Sequence, residues 1–321
     1  MTLRLGVLGT LVWDRIWTLE DAARGVPFES WGGVSYSLAS AAAARPEGWE
    51  VVPLVKVGAD LADEARRFLE GLPGVSVGAS LVTVPEPNNR VELRYTDAAQ
   101  RGERLTGGVP AWTWEELEPH LGGLDALYVN FISGFELSLA DAEALRRSFA
   151  GPLYSDLHSL FLGCPGAGAR RLRALPDWER WLACFDAVQL NERELGMLGG
   201  EGEWAERAER VLDVGPRLAV VTLGAEGATC ARRAGLPPDP RAWPATRDAS
   251  GGTPVRTVTV PLDAPVDGDP TGAGDVWGLA FFCGLLGGLE VEEALRSAHR
   301  TASRKLSHRG ASGLYEHLSA D

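Results

Sequence analysis

Asp269-Pro270-Thr271-Gly272-Ala273-Gly274-Asp275 is followed at once by Val276, Trp277, Leu279, Ala280, Phe281 and Phe282. Small residues therefore stand where a loop becomes an apolar helix. The first turn of a helix carries backbone N–H groups without internal partners, and its dipole favours negative charge there. Residues as small as Gly272, Ala273 and Gly274 let an anionic oxygen approach those donors. Asp275 falls in the same turn, within reach of a hydroxyl proton. A carboxylate is out of place at an anion site unless it does chemistry or holds a cation. Gly-Ala-Gly-Asp alone reads first as a helix cap, since Asp is a favoured first-turn residue. Asp269 and Thr271 ahead of it, and the aromatic helix behind, make the whole run more specific.

Outward from this run, apolar stretches of strand length recur at 3–8, 51–55, 126–129, 153–155, 187–190 and 218–222. Helical stretches lie between them at 38–44, 61–72, 140–149 and 204–212. The alternation predicts an α/β fold, a doubly wound, mostly parallel sheet flanked by helices. In such sheets the ligand crevice lies beyond the carboxyl ends of the strands, where Gly9, Asp156, Asn191 and Thr222 fall. Two segments break the pattern. Residues 13–31 hold Ile16, Trp17 and Phe28 without helical spacing. Residues 91–96 alternate apolar and polar, turn at 99–102 and return through 103–106, which reads as a hairpin. Together they predict a small β lid, from about 12–33 and 88–107, that shuts water out of the crevice. An edge hairpin of the main sheet is the alternative. The Pro-rich stretch 235–254 reads as a surface loop, so residues 1–321 are expected to form one domain.

A chain of 321 residues with 45% hydrophobic content can bury a sizeable core. The net charge of −13 argues against nucleic acid or an anionic membrane as partner, though not against a nucleotide that arrives with Mg2+. No apolar run reaches the ~18 residues of a membrane helix, and the first ten residues carry no secretory pattern. Cys164, Cys184, Cys230 and Cys283 lack CxxC spacing, so a reducing, cytoplasmic setting is expected. The only lysines, Lys56 and Lys305, follow no GxxxxG run, which excludes a Walker A loop. His120, His158, His299, His308 and His317 show no metal spacing and read as surface or packing residues.

The Asp269–Asp275 run resembles the signature of the ribokinase/PfkB family of carbohydrate (sugar and nucleoside) kinases. The resemblance runs in order along nearly the whole chain, from Gly9 to Arg309-Gly310-Ala311. It implies a ribokinase-like fold, Asp275 as general base and the amides of Gly272, Ala273 and Gly274 as an anion hole. Asn191-Glu192-Arg193-Glu194 resembles the family's Asn-x-x-Glu motif, which acts on Mg2+ and phosphate, often through water. Its spacing alone reads as a helix cap, Asn191 with a first-turn acid at Glu194. The stretch 220–227 resembles the nucleotide-side motif, placing Thr222, Gly224 and Gly227, with Thr271, beside ATP. Asp269 and Thr271 match part of the site that binds K+ in members that use it.

On the acceptor side, the stretch 9–14 resembles the family's opening motif and implies that Asp14 binds sugar hydroxyls. Gly32 and Gly33 match the paired glycines that let substrate approach. Ser37 stands where many members have Asn, a departure that changes the substrate's partners. Val57-Gly58-Ala59-Asp60 matches a further motif, but Asp63 replaces its later glycine and the stretch reads as structural. Arg94 and its neighbour Arg90 are placed to grip a phosphate or carboxylate with two hydrogen bonds, against the alternative of a solvated hairpin face. Asp156 and His158 would line the acceptor pocket.

The expected activity is ATP- and Mg2+-dependent phosphorylation of a hydroxyl of a sugar or sugar-like polyol. A nucleoside kinase, with tryptophans as stacking surfaces, is the rival within the class. A non-catalytic sugar-binding sensor is the rival outside it. The resemblance also implies pairing of lids in a homodimer.

Overall fold

The computed structural model describes residues 2–95, 101–163, 170–199, 204–244, 253–264 and 266–320. The aliphatic runs read from the sequence extend as strands, as residues buried on both faces do in a parallel sheet covered by helices. The strands are β1 (Leu3–Leu8), β2 (Leu11–Trp17), β3 (Phe28–Gly33), β4 (Trp49–Gly58), β5 (Leu81–Val84), β6 (Arg90–Tyr95) and β7 (Arg101–Thr106). They continue as β8 (Ala126–Asn130), β9 (Leu153–Asp156), β10 (Ala187–Asn191), β11 (Leu218–Thr222), β12 (Ala228–Arg233) and β13 (Val255–Val260). The helices are α1 (Leu19–Arg24), α2 (Val34–Ala44), α3 (Ala62–Glu70), α4 (Trp114–Leu117), α5 (Leu139–Ser148) and α6 (Trp178–Ala183). After them come α7 (Glu192–Met197), α8 (Trp204–Val214), α9 (Ala273–Leu286), α10 (Val291–Leu306) and α11 (Leu314–Ser319).

Nine strands form the main sheet in the order β13-β12-β11-β10-β9-β8-β1-β4-β5, with parallel pairings except those of β12, which runs antiparallel to both β11 and β13. The chain runs from β1 outward through β4 and β5, then returns to the other side of β1 with β8. The gap between the ends of β1 and β8 is thus a topological switch point, the place where such sheets bind ligands. Gly9 and Asn130 stand there.

The expected small sheet is present, in the order β3-β2-β6-β7. Residues 13–31, irregular by periodicity, are β2 and β3 joined by the short helix α1. Register assigns the two faces, since residues opposite one another share a side. Asp14 lies opposite Val91 and Ile16 opposite Leu93, whereas Trp13, Arg15 and Trp17 lie opposite Arg90, Glu92 and Arg94. Val12, Ile16, Val91 and Leu93 form the buried cluster of the first face. The hairpin tip, residues 96–100, lies outside the described residues, as does Cys164.

Asp21 of α1 ties this sheet to the far end of the chain. Its buried carboxylate accepts from Arg309 at 2.7 Å and Arg24 at 2.8 Å, and it caps Thr18. The Arg309 hydrogen bond, helped by Thr18 and Arg24, holds the carboxyl far below the usual range against the opposing effect of burial. A depressed acid stabilises the fold above its unfolded pKa, about 4, and loses that contribution as pH falls. Arg309→Met should cost roughly 1–2 kcal/mol at pH 7, a figure discounted for the partial exposure of Arg309. The gap from wild type in thermal unfolding should narrow towards pH 3, and an equal gap at both pH values would contradict this account.

Candidate active site

Gly272 caps α9 in the left-handed region, with φ +76°. A Cβ there would lie 2.3 Å from the ring of Tyr36, so only glycine lets the loop rest on that ring. The helix behind is apolar on every side and is accordingly buried, packed against α2 and α10. Asp269 Oδ1 accepts the Thr271 amide at 2.9 Å, and the Pro270 carbonyl accepts the Ala273 amide at 3.1 Å. This corrects one expectation. Ala273 cannot offer its N–H to an anion, because a tight turn consumes it at the helix start. The amides of Gly272 and Gly274 have no partner among the described residues, and Gly274 is exposed.

Asp275, half-buried, accepts from Asn130 Nδ2 at 2.8 Å through Oδ1. The same amide donates to Ser37 Oγ at 2.9 Å, and Ser37 Oγ donates to the Asp275 carbonyl at 3.3 Å. Ser37 is therefore not a donor waiting for substrate. It is wholly buried and locks α2 to the first turn of α9. Asn130 is the residue the sequence reading missed. It ends β8 as Asp156 ends β9 and Asn191 ends β10, and a polar residue closing each of three apolar strands is the signal that marks it.

Register sets these ends in one row. Asn130 lies opposite Asp156, Asp156 opposite Gln189, and Asn191 opposite Thr222. Gln189 Nε2 joins Asp156 Oδ2 at 2.9 Å to the Gly274 carbonyl at 3.2 Å. Burial first, then the charges of Asp275 and Glu194, push Asp156 up to about 7. Negative charge is thus crowded under the helix start, where a cation or a proton is favoured.

Asn191 and Glu194 form a reciprocal cap on α7. Glu194 Oε2 accepts the Asn191 amide at 2.8 Å, and Asn191 Oδ1 accepts the Glu194 amide at 3.0 Å. Glu194 Oε1 also meets Asn191 Nδ2 at 2.6 Å and His158 Nδ1 at 2.5 Å. Burial opposes charge on His158, but the Glu194 hydrogen bond and carboxylates around it raise the imidazole to about 9. Both Glu194 oxygens are engaged, and the described residues hold no cluster of three metal-type side chains. Mg2+ fits here only through its own water shell, drawn by the field of Asp156, Asp275 and Glu194.

On the acceptor side, Asp14 is buried on the inner face of the small sheet. A Cβ at Gly32 would fall 1.9 Å from Asp14 Oδ2, so Gly32 exists to admit that carboxylate. Gly33, with φ +59°, passes the Thr10 carbonyl where a Cβ would come within 2.6 Å. Arg94 departs from expectation. Register places it on the opposite face from Asp14, where it pairs with Glu92 at 2.8 Å and covers the Trp17 ring. Arg90 pairs with Asp60 at 2.5 Å. Arg94→Ala should leave the acceptor KM within about twofold, and a tenfold rise in steady-state kinetics would return the residue to the pocket.

The model of the "pfkB family carbohydrate kinase" matches residues 166–317, the stretch that holds Asn191, Glu194 and the whole Asp269–Asp275 run. Over that stretch the chain is similar to this family of carbohydrate kinases. Its fold is similar to that of a ribokinase from Thermotoga maritima, at 18% identity and TM-score 0.72 over 98% of each chain. It is also similar to a pyrophosphate-dependent kinase of the ribokinase family complexed with a pyrophosphate analogue and myo-inositol. That match has 18% identity and TM-score 0.72 over 99% of this chain and 100% of the other. An Escherichia coli protein in complex with ATP and Mg2+ matches at 14% identity and TM-score 0.72 over 99% of both chains. At such identities the likeness is one of fold. No curated protein matches in sequence.

On the far side of the crevice, Leu223 N–H bonds to the Gly227 carbonyl and closes the turn after β11. A Cβ at Gly227 would come within 2.2 Å of the Val260 carbonyl, whereas the space around Gly224 is open. Thr222 Oγ1 reaches the Leu190 carbonyl at 3.5 Å. Thr271 Oγ1 meets the Tyr95 hydroxyl of the small sheet at 3.0 Å. K+ does not fit beside Asp269 as expected, because the ammonium of Lys305 is already there, 2.8 Å from the Asp269 carbonyl oxygen. Among the described residues, no helix is long and apolar enough to cross a membrane.

Proposed function

We propose that this kinase transfers a phosphoryl group from ATP to a hydroxyl of a sugar-like polyol, with Asp275 as general base. The observation that carries the reading is Asp275 held by Asn130 at the start of α9, beside the switch point of the sheet. The carboxylate takes the proton as the acceptor oxygen attacks, and the Gly272 and Gly274 amides receive the charge of the moving group. Asp14, buried and acceptor-only, suits adjacent hydroxyls of a neutral polyol and repels an anionic one. Asn191, Glu194 and Asp156 would hold Mg2+ through water. When bound, the metal would neutralise phosphate charge.

The small sheet, from about 12–33 and 88–107, serves in this reading as the lid of a single kinase domain. Tyr95 against Thr271 and Glu103 against Arg170, paired at 2.9 Å, support that role. Cys184, Cys230 and Cys283 are buried thiols outside any disulfide, which suits a reducing cytoplasm. The outer face of the lid, with Trp13 and Trp17, is where a homodimer would pair, and sedimentation at micromolar concentration tests that.

The deciding assay supplies ATP or pyrophosphate to pooled sugars, polyols and nucleosides and looks for a phosphoester by 31P NMR. ATP with a polyol is expected to give product. Transfer from pyrophosphate alone would change the donor, and a nucleoside product the acceptor. Tight ligand binding with no product from any pair would leave a sensor.

A further inference from the structure

Only two of the 31 Lys and Arg residues are lysines, and both are buried. Lys56 sits on the Ala111 carbonyl and Glu116. Lys305 has no exposed surface at all. A chain that uses arginine for nearly every basic position has kept its compact ammonium where only a compact cation fits. Lys305 lies in the last turn of α10, where the helix dipole already favours positive charge.

Its surroundings are oxygen-rich and belong to the signature loop. Nζ donates to the Asp269 carbonyl at 2.8 Å and lies 3.7 Å from Asp269 Oδ2, a buried oxygen with no hydrogen-bond partner among the described residues. The Tyr36 ring that supports Gly272 lies 5.5 Å from the same nitrogen. The Asp269 amide in turn donates to the Leu306 carbonyl at 2.8 Å. Two bonds, one in each direction, therefore fasten the start of the loop to the end of α10. Burial disfavours the charge on Lys305, and Asp269, Asp275 and Asp14 all favour it.

We propose that the Lys305 ammonium is a built-in monovalent cation, which fixes the Asp269–Asp275 loop and makes the kinase independent of K+. The proposal rests on that loop being the phosphoryl site. Lys305 is a positioning residue: it touches no reacting atom and acts through the Asp269 carbonyl and the turn that follows. A dissociable ion in the same place would meet an ammonium, and like charges at contact repel.

The test compares wild type, Lys305→Met and Lys305→Ala in choline, potassium and ammonium chloride at equal ionic strength. Wild type should give the same turnover and unfolding midpoint in all three salts. Lys305→Met keeps the stem and removes the charge, so turnover should fall about tenfold or more, as loss of positioning does, with no recovery in any salt. Lys305→Ala opens space, so potassium or ammonium should restore turnover saturably and raise its midpoint by about 2 °C or more over choline.

Severalfold activation of wild type by potassium would overturn the proposal, as would Lys305→Met with normal turnover. A Lys305→Ala protein indifferent to both ions would reduce Lys305 to packing. Should Lys305→Ala fail to fold, the salt response of wild type and the turnover of Lys305→Met decide. Should no acceptor be phosphorylated, the proposed function fails separately, and the midpoints of Lys305→Ala in the three salts still decide whether the ammonium stands in for an ion.

Discussion

Asp275→Asn should bind donor and acceptor with little change in affinity and lose about a thousandfold in kcat, the range expected when a general base is removed. The substitution is well controlled. The amide oxygen that replaces the carboxylate can still accept from Asn130 Nδ2, so the bond of 2.8 Å and the helix start survive. What disappears is the ability to take a proton. Removing one negative charge from the crowd around Asp156 should also lower that residue's pKa, because Asp275 is the largest charge raising it. Single-turnover kinetics separates binding from chemistry here. A variant within tenfold of wild-type kcat would remove Asp275 from the mechanism. A collapse in affinity with kcat intact would make it a binding residue. Asn130→Leu should give a smaller loss, about ten- to a hundredfold, because it frees the carboxylate to rotate without changing its chemistry.

The second large effect is a contrast between two neighbouring glycines. Gly272→Ala should be severely destabilising, by about 2–4 kcal/mol, because the left-handed backbone opposes a side chain and the new methyl enters the Tyr36 ring. Gly274→Ala should do the reverse. Position 274 lies within α9, and a Cβ there meets nothing within 4 Å. Alanine in a helix is favoured over glycine by roughly 0.5–1 kcal/mol, so the midpoint should rise. The added methyl would nevertheless screen the amide from an incoming phosphoryl group, and turnover should fall at least about tenfold. A more stable protein that turns over more slowly is the signature of an anion site. If Gly274→Ala raised the midpoint and left kcat and donor KM untouched, the anion-hole role would fall to Gly272 alone.

Much of this protein was legible because its signals are local. Alternating strands and helices follow from hydrophobic runs of fixed length, and the signature loop declares itself by small residues ahead of an apolar helix. The small sheet was legible as two interruptions of that rhythm, although the partner of each strand was not. Arg94 shows the limit. Alternation places it on one of two faces, and only its register with Trp17 shows that the face turns away from Asp14. Ser37 shows it again, since helical spacing cannot say that its hydroxyl is spent on Asn130 and the Asp275 carbonyl. The spacing of Asn191 and Glu194 was equally consistent with a cap and a metal motif. The bonds to Glu194 from Asn191 and His158 show a cap first.

The sequence by itself determined the parallel α/β order, the loop-to-helix junction at 272–275 and the carboxylate within it, because hydrophobic period and glycine act over a few neighbours. Which amides remain exposed, which asparagine holds Asp275 and which cation sits on Asp269 were decided only by the tertiary structure. Asn130 and Asp275 are 145 residues apart, and Lys305 and Asp269 are 36 apart. Contacts across such separations are set by how sheet and helices pack, and no pattern read along the chain contains that geometry.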